Sequence, residues 1–392
     1  MVTLAGLIAI AGLVWLGSIY IFAKEKLPTP LRYLFYSGLE FLLIGIVVGP
    51  LALNLFPFDK LSLLDPLIHL GLGWVGLLLG LQLRFLDLSR LRTQYVAVTF
   101  FQSLFTGLVV GLAVWPLIGS LLPGQEHLVL IAITILAASS AISSPTVLYL
   151  LHKETGFRER VIRLLHLITN LDGVVSVLAV GIAFTLFRPD ANFFGGTILL
   201  LQAVATGIVL GYLFLLFPRE KLGGSEVVVV LLGFVLFTSG AGGMLQVSPL
   251  FLNLVTGCFL ANTLDKDDPF FSIIINAEKP LYVIMLITAG LLFTIPGITG
   301  LSIAVIMVVV RFAGKYIFMS FAAPMIAPSL AFPRNTSFAL TSQGAMALAV
   351  GFTFISAYPG TAANTLFSAI TISVVINEVA APYLAATLFK GA

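Results

Sequence analysis

Long apolar runs follow one another along the whole chain, at about 3–22, 39–56, 65–83, 94–118, 126–151, 160–186, 193–217, 225–239, 248–264, 279–294, 300–323, 334–356 and 365–388. A hydrocarbon layer about 30 Å thick is crossed by roughly 20 helical residues. Within it every backbone N–H and C=O must be bonded inside the protein, so only helices and closed barrels span. The runs are continuous and lack the polar/apolar alternation of a membrane strand. Composition agrees, with 59% hydrophobic and 9% charged residues, where soluble domains carry about 25% charged. The expected fold class is therefore an all-α polytopic membrane protein of about 13 transmembrane helices. The first run lacks a basic n-region and a small-residue cleavage site, and it is too long for a signal peptide. It is read as the first spanning helix.

Lys and Arg fall on alternate loops. Loops after runs 1, 3, 5, 7, 9 and 11 hold Lys24, Lys26 and Arg32; Arg84, Arg90 and Arg92; Lys153, Arg158, Arg160 and Arg163; Arg219 and Lys221; Lys266 and Lys279; and Arg334. With Lys390 this makes sixteen of the 20, and the opposite side has only Lys60 and Arg188. Positive charge stays cytoplasmic, so the expectation is a multi-pass inner (plasma) membrane protein with the N-terminus outside and the C-terminus cytoplasmic. No loop exceeds about 16 residues, too few to fold as a domain of their own, and no soluble regulatory domain is expected in 1–392. Cys258 is the only cysteine, which excludes an intramolecular disulfide framework and a cysteine metal cluster. No nucleophile–base pattern, metal-ligand spacing or phosphate loop points to an enzyme, no cofactor is implied, and no basic stretch interleaved with aromatics suggests nucleic acid.

Ionisable residues at membrane depth are expensive and mark function or its structural support. Asp172 lies about 18 Å along the sixth run from Arg160, near the midplane. His166, Thr169, Asp172 and Ser176 follow Arg163 at spacings of three and four, which share a helical face. They make a polar stripe from the cytoplasmic surface to mid-membrane, a candidate ion path that reaches Asp172. The fifth run holds Ser139, Ser140, Ser143 and Ser144 before Pro145. Proline breaks the helical ladder there, and discontinuous helices at mid-membrane build ion sites in transporters. The twelfth run has a second polar break at Thr341, Ser342, Gln343 and Gly344. Two broken helices running oppositely are what an inverted repeat predicts. Glu378, Arg311 and Lys315 lie at depth on runs 13 and 11 as charge-compensating residues, read as a structural ion pair between those helices. Asn170 and Thr288 are weaker candidates.

The residues also resemble a known family. LEFLLIGIVVGPLAL looks like a G-E-x-x-x-G-x-x-x-G-P helix, and LGLGWVGLLLGLQLRFLDLSRLR is similar to a helix ending in a G-L-x-x-x-x-x-x-L-R stretch. SSPTVLYLLHKE resembles an S-S-T-A-I-V-L-x-L-L-x-E broken helix, NLDGVVSVLAVGIAF a segment with an ion-binding Asp, and GMLQVSPLFLNLVTGCFLAN a G-L-S-x-x-x-G-x-x-x-G-x-x-L-A-N helix. In this order, over about residues 36 to 388, they resemble the monovalent cation:proton antiporter superfamily, nearest its Kef-like bacterial branch. The chain has Leu171 where many relatives place Asp or Asn, and Gln343-Gly344-Ala345 in place of R-G-E.

The resemblance implies the sodium/proton antiporter fold with two broken crossing helices. It implies a homodimer with a scaffold part and a mobile core part (including about 65–186 and 279–356) that carries the ion in an elevator-like movement. It implies Asp172 as the ion- and proton-binding carboxylate, with Ser143 and Ser144 at the first crossing and Na⁺ or K⁺ as transported ion rather than resident metal. With one carboxylate, exchange is expected to be electroneutral at one to one. Two alternatives stay open: a K⁺ efflux channel subunit, for which a separate cytoplasmic regulatory subunit is a possible partner, and a non-transporting sensor or complex subunit on a degenerate antiporter fold.

Overall fold

The computed structural model describes residues 12, 37–89, 91–145, 159–188, 193–217, 224–265, 268–328 and 336–386. Their regular elements are all helical: α1 (Leu39–Val48), α2 (Asp65–Leu81), α3 (Thr93–Leu121), α4 (Glu126–Ala141), α5 (Glu159–Leu186), α6 (Phe193–Leu215), α7 (Gly224–Met244), α8 (Pro249–Thr263), α9 (Pro269–Leu292), α10 (Ile298–Ile317), α11 (Gly344–Ala357) and α12 (Thr361–Ala386). A 3₁₀ segment, Phe58–Leu64, leads into α2, and a π turn, Phe318–Ala322, extends α10. Eight helical stretches are long and apolar enough to cross a membrane, and α1, α4, α8 and α11 are shorter apolar helices. Twelve of the thirteen expected spans thus have a helix; the first, 3–22, lies outside the described residues.

Local chemistry sets several starts. Ser248 accepts from Phe251 N–H (3.3 Å) ahead of Pro249, and Asp268 accepts from Phe270 N–H (2.9 Å) ahead of Pro269. Each is a capping side chain followed by proline at the first helical position, where the missing N–H costs nothing. Two expected spans do not run through. In the run 126–151 the helix breaks after Ala141, and the described part of the run 334–356 is a 3₁₀ turn, Thr336–Leu340, three residues without regular structure, then α11.

Packing repeats with the halves of the chain exchanged. α3 packs on α5 as α10 packs on α12; α4 packs on α5 as α11 packs on α12; and α2 packs on α8 as α9 packs on α1. The counterparts α3 and α10, and α4 and α11, pack on each other. The pairing advances by seven helices. An odd number of spans reverses direction, so the repeat is inverted. The pairs α2–α8 and α1–α9 even share their device: a Cβ added to Gly80 would stand 2.8 Å from Gly257 Cα, and one added to Gly290 2.8 Å from Gly45 Cα. Backbones this close require glycine on both sides, the small-residue packing of helices in lipid.

The core follows from this pairing. In α11 nearly every residue is buried, and α4 is buried along its inner half, whereas α3, α6, α7 and α10 present large apolar side chains outward, among them Phe100, Leu108, Leu201, Val229 and Val309. An apolar rim around a polar-containing centre is suited to lipid outside and protein contacts within.

Candidate functional site

α4 and α11 meet where both are broken. After Ala141 the chain runs extended through Ile142 to Ser144, and Ser144 N–H donates to Ser342 C=O (2.9 Å) across the crossing. Gly344, which opens α11, has φ +66°, and a Cβ there would lie 2.9 Å from Ser144 Cβ. Both the left-handed backbone and the close approach call for glycine.

A helix broken in a membrane exposes carbonyls at one end and amides at the other, which water cannot satisfy. Charges on α10 and α12 satisfy them here. The Arg311 guanidinium is fully buried and donates to five carbonyls: Ser140 (2.8 Å) and Ile142 (2.8 Å) at the end of α4, and Leu340 (3.2 Å), Thr341 and Ser342 (3.3 Å) before α11. Lys315, one turn on, donates to Ala141 C=O (3.0 Å) and to Ser143 Oγ. The opposite pole is met by Glu378, whose Oε1 accepts from Ser342 Oγ (2.7 Å), Gln343 N–H (2.8 Å) and Gly344 N–H (2.6 Å) at the start of α11. Cations thus face carbonyl ends and the anion faces an amide end, as helix dipoles favour. Arg311 and Glu378 serve opposite ends of the crossing and share no hydrogen bond. The expected ion pair between their helices is instead a bridge through broken backbone.

Gln343 completes the brace. Its Nε2 donates to Ser139 C=O (2.7 Å), and its Oε1 accepts from Ser373 (3.2 Å) and Asn377 (3.0 Å) on α12. A neutral amide therefore ties α4, α11 and α12 together at the position where the resembled family has arginine.

Asp172 stands at the middle of α5, fully buried, and neither carboxylate oxygen has a hydrogen-bond partner. Ser143 flanks it by side chain and backbone, short of a closed hydrogen bond, and Lys315 is the cation with the greatest influence on it, ahead of Arg311. A carboxylate withdrawn from water with open lone pairs demands compensation by a proton, a cation or a charged neighbour. Lys315 supplies the last only in part, because its ammonium is bonded to Ala141 C=O and Ser143.

The other expected site residues divide. Thr169 and Ser176 are buried on α5; Thr169 donates to His166 C=O (3.0 Å), and Ser176 Oγ has no partner. His166 is half-buried. Asn170 precedes Asp172 by two residues, which turns it about 200° away around the helix. Thr288 is on α9 with its hydroxyl donating to Ile284 C=O (2.8 Å). Pro145 ends the described part of the first crossing, and 146–158 lie outside the described residues. The structure also reveals buried polar residues on α3 that the sequence reading passed over: Gln102, Ser103 and Thr106. Their signal, Q-S-x-x-T in an otherwise apolar run, was visible.

No family model matches the sequence, and no curated protein matches it. Among solved structures, that of the sodium proton antiporter MjNhaP1 from Methanocaldococcus jannaschii at pH 8 superposes with a TM-score of 0.68 at 16% identity, covering 99% of this chain and 100% of that one. An electron-microscopy map of the same antiporter gives a TM-score of 0.62 at 16% identity, over 99% and 97% of the two chains. The likeness runs end to end and identifies the sodium/proton antiporter fold.

Proposed function

We propose that the chain is a secondary active transporter that exchanges a monovalent cation, Na⁺ or K⁺, for H⁺ at Asp172. The observation that carries this reading is a fully buried carboxylate with both oxygens open, set beside two broken helices whose described backbone ends are met by Arg311, Lys315 and Glu378. The broken helices need no ion to hold them, so the carboxylate is left for cargo. One carboxylate is neutralised by one proton or by one cation, not both. If only the neutralised carrier crosses, exchange is forced, because carrying a bare carboxylate through the low-dielectric barrier costs several kcal/mol or more. The oxygen ligands suit a hard cation.

Stoichiometry follows from what stays fixed. Arg311 and Lys315 are held by carbonyls, and Glu378 is committed to the amide end of α11. The proton-loaded and cation-loaded carriers then bear the same charge, so exchange is one for one and electroneutral. Alternating access is an elevator-like movement of a core drawn from about 65–186 and 279–356. α12 moves with it, since Glu378, Ser373 and Asn377 are bonded into the crossing. The chain works as a homodimer in the inner membrane, with the loops rich in Lys and Arg on the cytoplasmic side.

The test is proton flux in liposomes carrying the purified protein and a lumenal pH dye, with Na⁺, K⁺ and Li⁺ added in turn. Flux with Na⁺ or K⁺, unchanged in initial rate when the membrane potential is clamped at zero or at 100 mV, is the expected result. A rate that follows the potential contradicts the one-to-one stoichiometry. Conductance without proton movement, or no response to any cation, contradicts exchange.

A further inference from the structure

We infer that Gln102, Ser103 and Thr106 on α3 form a second cation-coordinating station, on the path between the Thr93 end of the bundle and Asp172; the inference rests on the exchange reading above. α3 shows two faces. Phe100, Phe101, Leu104 and Leu108 are exposed on one. On the other, Thr99, Gln102, Ser103 and Thr106 are each no more than 1% exposed, at spacings of three and four that form one stripe. Thr99 is spent on its own helix, donating to Tyr95 C=O (3.0 Å). The next two are not spent. Gln102 donates through Nε2 to Thr106 Oγ1 (3.2 Å), and this leaves Gln102 Oε1 buried without a partner. Ser103 Oγ is likewise buried and unpartnered.

An open acceptor in a dry interior is costly, and a packing role would be met more cheaply by leucine or alanine. The polar knot Thr238–Asn253–Ser239 between α7 and α8 shows what this chain does where polar residues only tie helices: Asn253 Oδ1 accepts from Thr238, and Nδ2 donates to Ser239 and to Pro249 C=O. On α3 the amide is anchored through one N–H on Thr106, and its carbonyl oxygen is left open. Such a group receives a cation, or a cation's water, and repels an anion. With Ser103 it supplies neutral oxygen ligands, as hard cations prefer.

The position links the station to Asp172. α3 packs on α4, α5 and α10. A Cβ added to Gly314 would lie 3.7 Å from Thr106 Cα, so the two helices touch there. The next residue, Lys315, bonds Ser143 and flanks Asp172. Thr106 is therefore close to the depth of the carboxylate, and Gln102 and Ser103 sit up to one turn nearer the Thr93 end, which is cytoplasmic in the proposed orientation. Of the other buried oxygens without partners, those of Ser140 on α4 and of Asp172 and Ser176 on α5 fall on helices that pack against α3, while those of Gln82 and Ser337 lie elsewhere. The station exchanges some of the water of a cation entering from the cytoplasm for protein oxygens before it reaches Asp172.

The experiment measures exchange against Na⁺ and K⁺ separately on each side of sealed vesicles, right-side-out and inside-out. In Gln102→Leu the apparent KM for cytoplasmic cation rises about tenfold, a modest loss of coordination, while the external KM and the maximal rate stay within about twofold. Ser103→Ala, which removes one hydroxyl and leaves the fold alone, gives the same one-sided change at about threefold. Ser103→Ala decides the matter if Gln102→Leu does not fold. KM values unchanged on both sides, or raised equally on both, overturn the station, the second result marking a purely structural role. If these variants behave as wild type while Asp172→Asn abolishes flux, the station fails and the exchange reading stands; if wild type shows no flux, both fail.

Discussion

Lys315 and Arg311 stand one helical turn apart on α10 and differ in what they face. Arg311 donates only to main-chain carbonyls of the crossing. Lys315 shares its ammonium between one carbonyl and Ser143, beside Asp172. A resident positive charge next to the carboxylate proposed to bind the cation opposes a second one. Lys315→Gln keeps a donor for Ala141 and Ser143 and removes the charge, so the KM for the transported cation falls about three- to tenfold. A cation titration of flux checks this, and an unchanged KM would show that Lys315 only braces the crossing. At this scale much was legible in the sequence: Asp172 and its stripe come from helical spacing and a charge that lipid does not tolerate. The partners of Arg311 and Glu378 were not, because sequence shows which charges are at depth but not which backbone groups a break leaves exposed. A direct ion pair was the simplest reading of two opposite charges, and two broken helices between them changed the answer.

At the scale of elements, the crossing is a pair of helix ends joined by side chains from neighbours. Pro145 and the serines before it announced the first break, and Thr341–Gly344 the second. Their hydrophobic runs continue straight through, so apolar length alone does not show the break after Ala141. Gln343 shows how a substitution against the resembled pattern keeps a structural job: the amide bonds α4 by its nitrogen and α12 by its oxygen. Glu378 serves this architecture too. Glu378→Gln keeps an acceptor for the amides of Gln343 and Gly344 but loses the charge, which is worth roughly 1–2 kcal/mol at a buried helix N-terminus. The variant therefore melts at lower temperature in detergent, while exchange remains one for one and insensitive to voltage. A change in the number of protons moved per cation would make Glu378 a second coupling carboxylate instead.

For the whole molecule, the fold class was readable from apolar runs, twelve of which carry a helix among the described residues. Each helix must bury a length set by the bilayer, and each loop charge has a side. The inverted repeat was foreshadowed by two breaks alone; its proof is the exchange of packing partners, α2–α8 with α9–α1 and α3–α5 with α10–α12. Glycine pairs such as Gly45–Gly290 fix those contacts, and sequence does not show which glycines face each other. At 16% identity the end-to-end likeness to MjNhaP1 reflects this shared pattern of helix packing rather than shared side chains. The proposed exchange has this frame carry a cation or a proton on one carboxylate. Cation-driven proton flux in liposomes, wild type against Asp172→Asn, tests it most directly. Robust flux is expected in the wild type and a loss of at least about a hundredfold in the variant, with the variant folded as judged by thermal unfolding. Flux that survives in Asp172→Asn would contradict it.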